Sequence, residues 1–143
     1  MKGKTTVLFS VFIVGVIGLV AGWPYIQMGF ASSAHYTELD NREYEYFTPD
    51  LLKEMPRISK NYEFSYSNIS GPQAFIYSIQ FNGTTDTREI REYLISKGYE
   101  QQKQCQTEAE CWRSKRNKDI VSFYSLPELD LVEVEIYRRE HED

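Results

Sequence analysis

Histidine and cysteine are scarce in this chain, with two of each among 143 residues. His35 and His141 lie at opposite ends of the sequence beyond the first apolar run, so they suggest neither a shared metal site nor a base beside an activated serine. Serines are plentiful, yet no G-x-S-x-G elbow occurs, and the Walker, dinucleotide and calcium-loop signatures are missing. Cys105 and Cys111 are too widely spaced for a C-x-x-C redox pair. These absences argue against an enzyme and predict no metal and no cofactor. A glycosidase-like carboxylate pair stays open as an alternative, because the fold and not the spacing assembles such pairs. Glu133 and Glu135 read instead as the wet face of a strand.

The other absence is charge, which is missing from Thr5 to Thr37. Inside that stretch Val7 to Ile26 is an apolar run, and about 20 residues at ~1.5 Å rise make a helix of roughly 30 Å, the depth of a bilayer's hydrocarbon core. Lys2 and Lys4 precede it, whereas the first charges after it are Glu38, Asp40, Arg42, Glu43 and Glu45. The positive side stays in the cytoplasm, which places the rest of the chain outside, at the inner (plasma) membrane. A cleaved signal peptide competes with a retained anchor: Val20 with Gly22, or Ser32 with Ala34, would serve as small-residue cleavage positions, and cleavage would secrete the domain. The apolar character continues through Trp23, Pro24, Tyr25 and Ile26, and an interfacial Trp/Tyr belt there favours the anchor. Gly18 and Gly22, with Gly15 a turn earlier, form a small-residue face suited to helix packing, including a homodimer.

The stretch from Glu38 to Asp143 carries 14 basic and 21 acidic residues, a formal charge of −7. Such a domain disfavours nucleic acid and steers a cationic protein toward itself. Residues 1–6 read as a cytoplasmic N-terminus, 27–46 as a linker, and 47–143 as an extracytoplasmic α+β domain. Cys105 and Cys111 predict a disulfide closing a small loop over Gln106 to Glu110. Thr48 as N-cap with Pro49 at the first position predicts a helix over Leu51 to Met55, ending before Pro56.

Alternation predicts a hairpin: Tyr62, Phe64 and Tyr66 on one face, a turn through Ser70, Gly71 and Pro72, then Phe75, Tyr77, Ile79 and Phe81. Asp86 with Glu89 three residues on predicts a capping box for a helix to Lys97, stopped by Gly98. Further strands are expected at Tyr99 to Cys105, Cys111 to Arg116, Ile120 to Leu126 and Leu131 to Arg138. The expected fold is an antiparallel sheet with two helices packed on one face.

Three features mark candidate binding surfaces. Among eleven tyrosines, Tyr44, Tyr46, Tyr66 and Tyr77 offer rigid contact area with a polar tip. Arg113, Lys115, Arg116 and Lys118 form a basic cluster suited to anionic headgroups or an acidic partner patch. Carboxylates cluster from Glu38 to Glu45 around Tyr44. At the level of architecture the chain is similar to small bacterial envelope inhibitors and toxin-immunity proteins. The expectation is a membrane-anchored domain that binds another protein, with an accessory subunit of a membrane complex as the alternative. Asn68-Ile69-Ser70 and Asn82-Gly83-Thr84 fit the glycosylation pattern, which matters in a eukaryotic source.

Overall fold

The structure, a computed structural model, describes residues 2–69, 71, 73–105 and 109–139. The expected turn residues Ser70 and Pro72, most of the loop between the cysteines, and His141 lie outside the described residues. The chain divides into two compact units, Met1–Ala31 and Ser32–Asp143.

The first unit is one helix, α1 (Lys2–Phe30), which runs beyond the expected Ile26. It is long and apolar enough to cross a membrane. Pro24 lies inside it; lacking an N–H, it leaves the Val20 carbonyl without the usual helical donor.

In the second unit the alternation of side chains builds the sheet. Its elements are β1 (Ser33–Tyr36), α2 (Asn41–Phe47), α3 (Asp50–Lys53), β2 (Asn61–Ile69), β3 (Ala74–Asn82), α4 (Arg88–Ser96), β4 (Tyr99–Gln101), β5 (Glu110–Ser114), β6 (Ile120–Leu126) and β7 (Leu131–Arg139). Seven antiparallel strands run in the order β1-β2-β3-β7-β6-β5-β4. Register places Tyr36, Phe64, Ile79, Val134 and Phe123 opposite one another in a row across five strands. Successive residues point to opposite faces, so the next row, His35, Ser65, Ser78, Glu135, Ser122 and Cys111, belongs to the other face.

The first face is apolar and carries the core: Phe64, Ile79, Phe81, Val121, Phe123, Val132, Val134 and Ile136 are buried beneath Leu52, Ile90 and Leu94 of the helices. All helices of this unit pack there. Phe47 of α2 stacks on Tyr66, Tyr93 of α4 donates to the Leu51 carbonyl at 2.7 Å, and Arg91 lies over Phe123. The expected α+β architecture is what the structure has.

Several local expectations change. Residues 27–46, expected as linker, hold β1 and most of α2; a four-residue strand of Ser-Ala-His-Tyr has no alternation of its own and forms because Phe64 to Ser67 of β2 supply its ladder. Three short helices, not two, cover the sheet. Thr48 is the C-cap of α2 and not the N-cap of α3, because its hydroxyl is taken by Tyr36 at 2.8 Å. The helix after it ends at Lys53. At α4 the N-cap position falls to Thr87, and Asp86 instead accepts the Arg88 N–H at 3.1 Å. Gly98 takes φ +87°, the left-handed conformation that ends a helix without steric cost. The strand expected from Tyr99 to Cys105 stops at Gln101.

Candidate functional site

From Glu38 to Glu54 the sequence holds six carboxylates and two cations, Arg42 and Lys53. The fold turns this segment into a ridge of α2 and α3 along the apolar face of the sheet. Its inner side is aromatic: Tyr44 meets Phe64 edge-on at 5.3 Å, and Phe47 packs on Tyr66 at 4.6 Å and Tyr36 at 5.9 Å. Its outer side presents Asp40, Glu45, Asp50 and Glu54, all exposed, together with Leu39, 92% exposed, and Tyr46, 49% exposed.

Arg57 fixes the ridge in place. Its guanidinium donates to Glu38 Oε1 at 2.6 Å, to the Leu52 carbonyl at 2.8 Å and to the Lys53 carbonyl at 3.1 Å, so a cation satisfies the carbonyls at the end of α3 while pairing an acid ahead of α2. The same group lies over Tyr62, 5.0 Å from the ring centre. Two more pairs tie the outer side, Lys53 to Glu45 and Lys97 to Glu54, both at 2.9 Å. Asp50 has no ion-pair partner among the described residues.

Behind the ridge lies a cleft of about 540 Å³ lined by Glu45, Asp50, Glu54, Lys97, Arg116 and Arg138. Arg138 crosses its floor to Asp119. Burial pushes the Tyr36 and Tyr93 hydroxyls up to about 12; Tyr93 donates to the Leu51 carbonyl, and Tyr36 shares a hydrogen bond with the Thr48 hydroxyl. The cleft offers charges of both signs, an arrangement suited to recognising a charged surface.

The structure distributes the sequence-derived residues unevenly. Cys105 and Cys111 are joined in a disulfide. Gly18 and Gly22 lie on α1 with nothing within 4 Å of where a Cβ would stand. Tyr44 and Tyr46 belong to the ridge, but Tyr66 is 8% exposed and is spent in the core, and Tyr77 is half-buried beneath Arg138. The four tyrosines therefore do not form one surface. The basic cluster is also divided: Arg116 lines the cleft, Lys115 and Lys118 are exposed on the turn, and Arg113 belongs to the opposite face.

Composition pointed to neither the Arg57 clamp nor the Asp119–Arg138 pair, since each joins residues 19 apart through the tertiary fold. On the polar face, Tyr124 donates to Glu133, and Glu135 is held above the ordinary carboxylate range, first by burial and then by the charge of Glu133. Compared with models of protein families, with curated proteins and with solved structures, the chain matches none.

Proposed function

We propose that this chain is a membrane-anchored protein whose second unit, outside the cytoplasm, binds a cationic protein through the α2–α3 ridge. The observation that carries this reading is the exposed excess of carboxylates there, interspersed with exposed Leu39 and Tyr46. Long-range attraction speeds the encounter, and apolar and aromatic anchors hold the complex once water is expelled. An inhibitor or immunity role against a basic enzyme or toxin is the use that fits such a surface. The helix α1 serves as the single span, with Lys2 and Lys4 on the cytoplasmic side.

The test is crosslinking in intact cells with an affinity tag at the C-terminus of the full chain, followed by identification of the recovered proteins. A basic extracytoplasmic protein is expected, recovered less as salt rises and less again with the D50N/E54Q variant. A recovered partner indifferent to salt and to both substitutions overturns the assignment.

A second reading rests on α1, where the Gly15, Gly18 and Gly22 positions meet nothing. Close approach of another spanning helix there would make the chain an accessory subunit of a membrane complex. The G18L/G22L variant should then lose its complex, and unchanged recovery refutes it.

A further inference from the structure

Five asparagines occur in the chain, and one of them, Asn82, is followed by glycine. Asparagine is thermolabile because the next residue's backbone nitrogen can attack its side-chain amide, and glycine leaves that nitrogen the least hindered. The pair lies where β3 ends, with Asn82 between Asn61 of β2 and Leu131 of β7 in the register. Gly83 takes φ +86°, a conformation that favours glycine at the turn toward α4. The backbone that the fold requires therefore creates the most reactive asparagine of the chain.

In the folded chain the peptide linking the two residues is held at both of its polar atoms. The Gly83 N–H donates to the Asp130 carbonyl at 2.7 Å, and the Asn82 carbonyl accepts from the Ser59 hydroxyl. The side-chain amide is held as well, its Oδ1 accepting from Gln80 Nε2 at 2.9 Å. Attack needs the nitrogen to lose its proton, and it needs the side chain and the backbone of Asn82 to rotate toward each other. Both changes break these bonds, at a residue paired with a strand on either side. Nothing lies within 4 Å of where a Gly83 Cβ would stand, so hydrogen bonding and not crowding keeps the pair unreactive.

We propose that Asn82–Gly83 is a latent self-modification site, closed by the fold and opened when the end of β3 detaches. The Gly83 nitrogen then gives up its proton and bonds to Asn82 Cγ; the bond from Cγ to the amide nitrogen breaks, and ammonia leaves with the proton. Water opens the resulting succinimide at either carbonyl. One opening gives aspartate, and the other gives isoaspartate, in which the chain runs through the side chain and gains one backbone atom. That extra atom moves the Gly83 N–H away from the Asp130 carbonyl, so a molecule modified while open cannot restore the closure on refolding. Each opening that reacts is recorded permanently. The inference is independent of whatever protein binds the ridge.

The test incubates the full chain in a neutral detergent at pH 8, folded and in guanidinium chloride, and follows the tryptic peptide of residues 61–88 by mass spectrometry. Asn61 and Asn68 in the same peptide, neither followed by glycine, are internal controls. Conversion at Asn82, with isoaspartate among the products, should be on the order of a hundredfold slower in the folded chain than in denaturant, because only opened molecules react. S59A removes one bond of the closure and should speed the folded reaction several-fold without changing the rate in denaturant. Y36F, which weakens the fold at β1, is the control and should leave the folded rate as it is. Equal rates at Asn82 in the two conditions, conversion in denaturant no faster at Asn82 than at Asn61 and Asn68, or S59A acting no more than Y36F overturns the proposal.

Discussion

Arg138 and Asp119 meet as a two-point pair, Nε donating to Oδ1 at 3.0 Å and Nη2 to Oδ2 at 2.9 Å. The partners are unequal in burial: the Asp119 side chain is 11% exposed and that of Arg138 is 43% exposed. Removing either partner strands the other, but only one of the stranded groups can reach water. R138A should therefore cost about 2–3 kcal/mol by leaving a buried carboxylate unpaired, and D119N distinctly less, near ~1 kcal/mol. Urea denaturation of the two variants checks the order. Equal costs would mean that the pair, and not the desolvated acid, dominates.

Tyr36 links the short strand β1 to the end of α2 through the Thr48 hydroxyl at 2.8 Å. Y36F should lose about 1 kcal/mol at neutral pH, the usual worth of a buried neutral hydrogen bond. It also alters alkaline stability. Burial raises this phenol from 10.0 to about 12, so above pH 10 the unfolded chain releases the proton that the folded chain retains. Stability then falls by up to about 1.4 kcal/mol per pH unit between those two values, and Y36F should lack this part of the loss. Thermal melts from pH 8 to 11 track it.

The sequence showed these elements unevenly, for physical reasons. The span, the β2–β3 hairpin, α4 and β7 each carry enough residues for periodicity to be read, and Val132, Val134 and Ile136 alternate with Glu133 and Glu135 as a half-buried strand requires. β1 could not be read that way, since its four residues gain their conformation from a partner some thirty positions on. Thr48 shows the same limit: its type fits a cap, but a tertiary partner took the hydroxyl. Of the candidate site, the excess of acids was visible in the sequence. Which tyrosines face water depended on sheet register, and so did the division of the basic cluster between two faces.

The segment after β4 is tied to β5 twice, by the disulfide and by the Gln102 N–H donated to the Cys111 carbonyl at 2.9 Å. Closing so short a loop restricts the unfolded chain by an amount worth about 2 kcal/mol, and C105S/C111S should lower stability by that much or less. The backbone bond should persist in the variant, so the ladder between β4 and β5 should survive. Melting with and without a reductant checks the stability, and amide hydrogen exchange at Gln102 checks the ladder. Lost protection there would show that the disulfide, and not the backbone pairing, holds β4 in place.

Glu133 and Glu135 occupy the same face of β7, yet their environments oppose each other. Glu133 accepts the Tyr124 hydroxyl, whereas Glu135 stands between Ser78 and Ser122 in the register and is raised by burial and by its acidic neighbour. A carboxyl raised in the folded state holds its proton more tightly than in the unfolded chain. The penalty is therefore fully present above the folded value and disappears below the unfolded one. E135Q removes it and should raise the melting temperature at pH 7.5. That advantage should shrink as the pH is lowered and be gone well below the ordinary value of 4.5, at about pH 3, where the carboxyl is protonated in both states. E133Q should do the reverse at neutral pH, because it exchanges a charged acceptor for Tyr124 for a weaker one, costing about 1 kcal/mol. Melts of both variants at the two pH values separate the cases, and a destabilising E135Q at pH 7.5 would show that an attraction outweighs the burial of its charge.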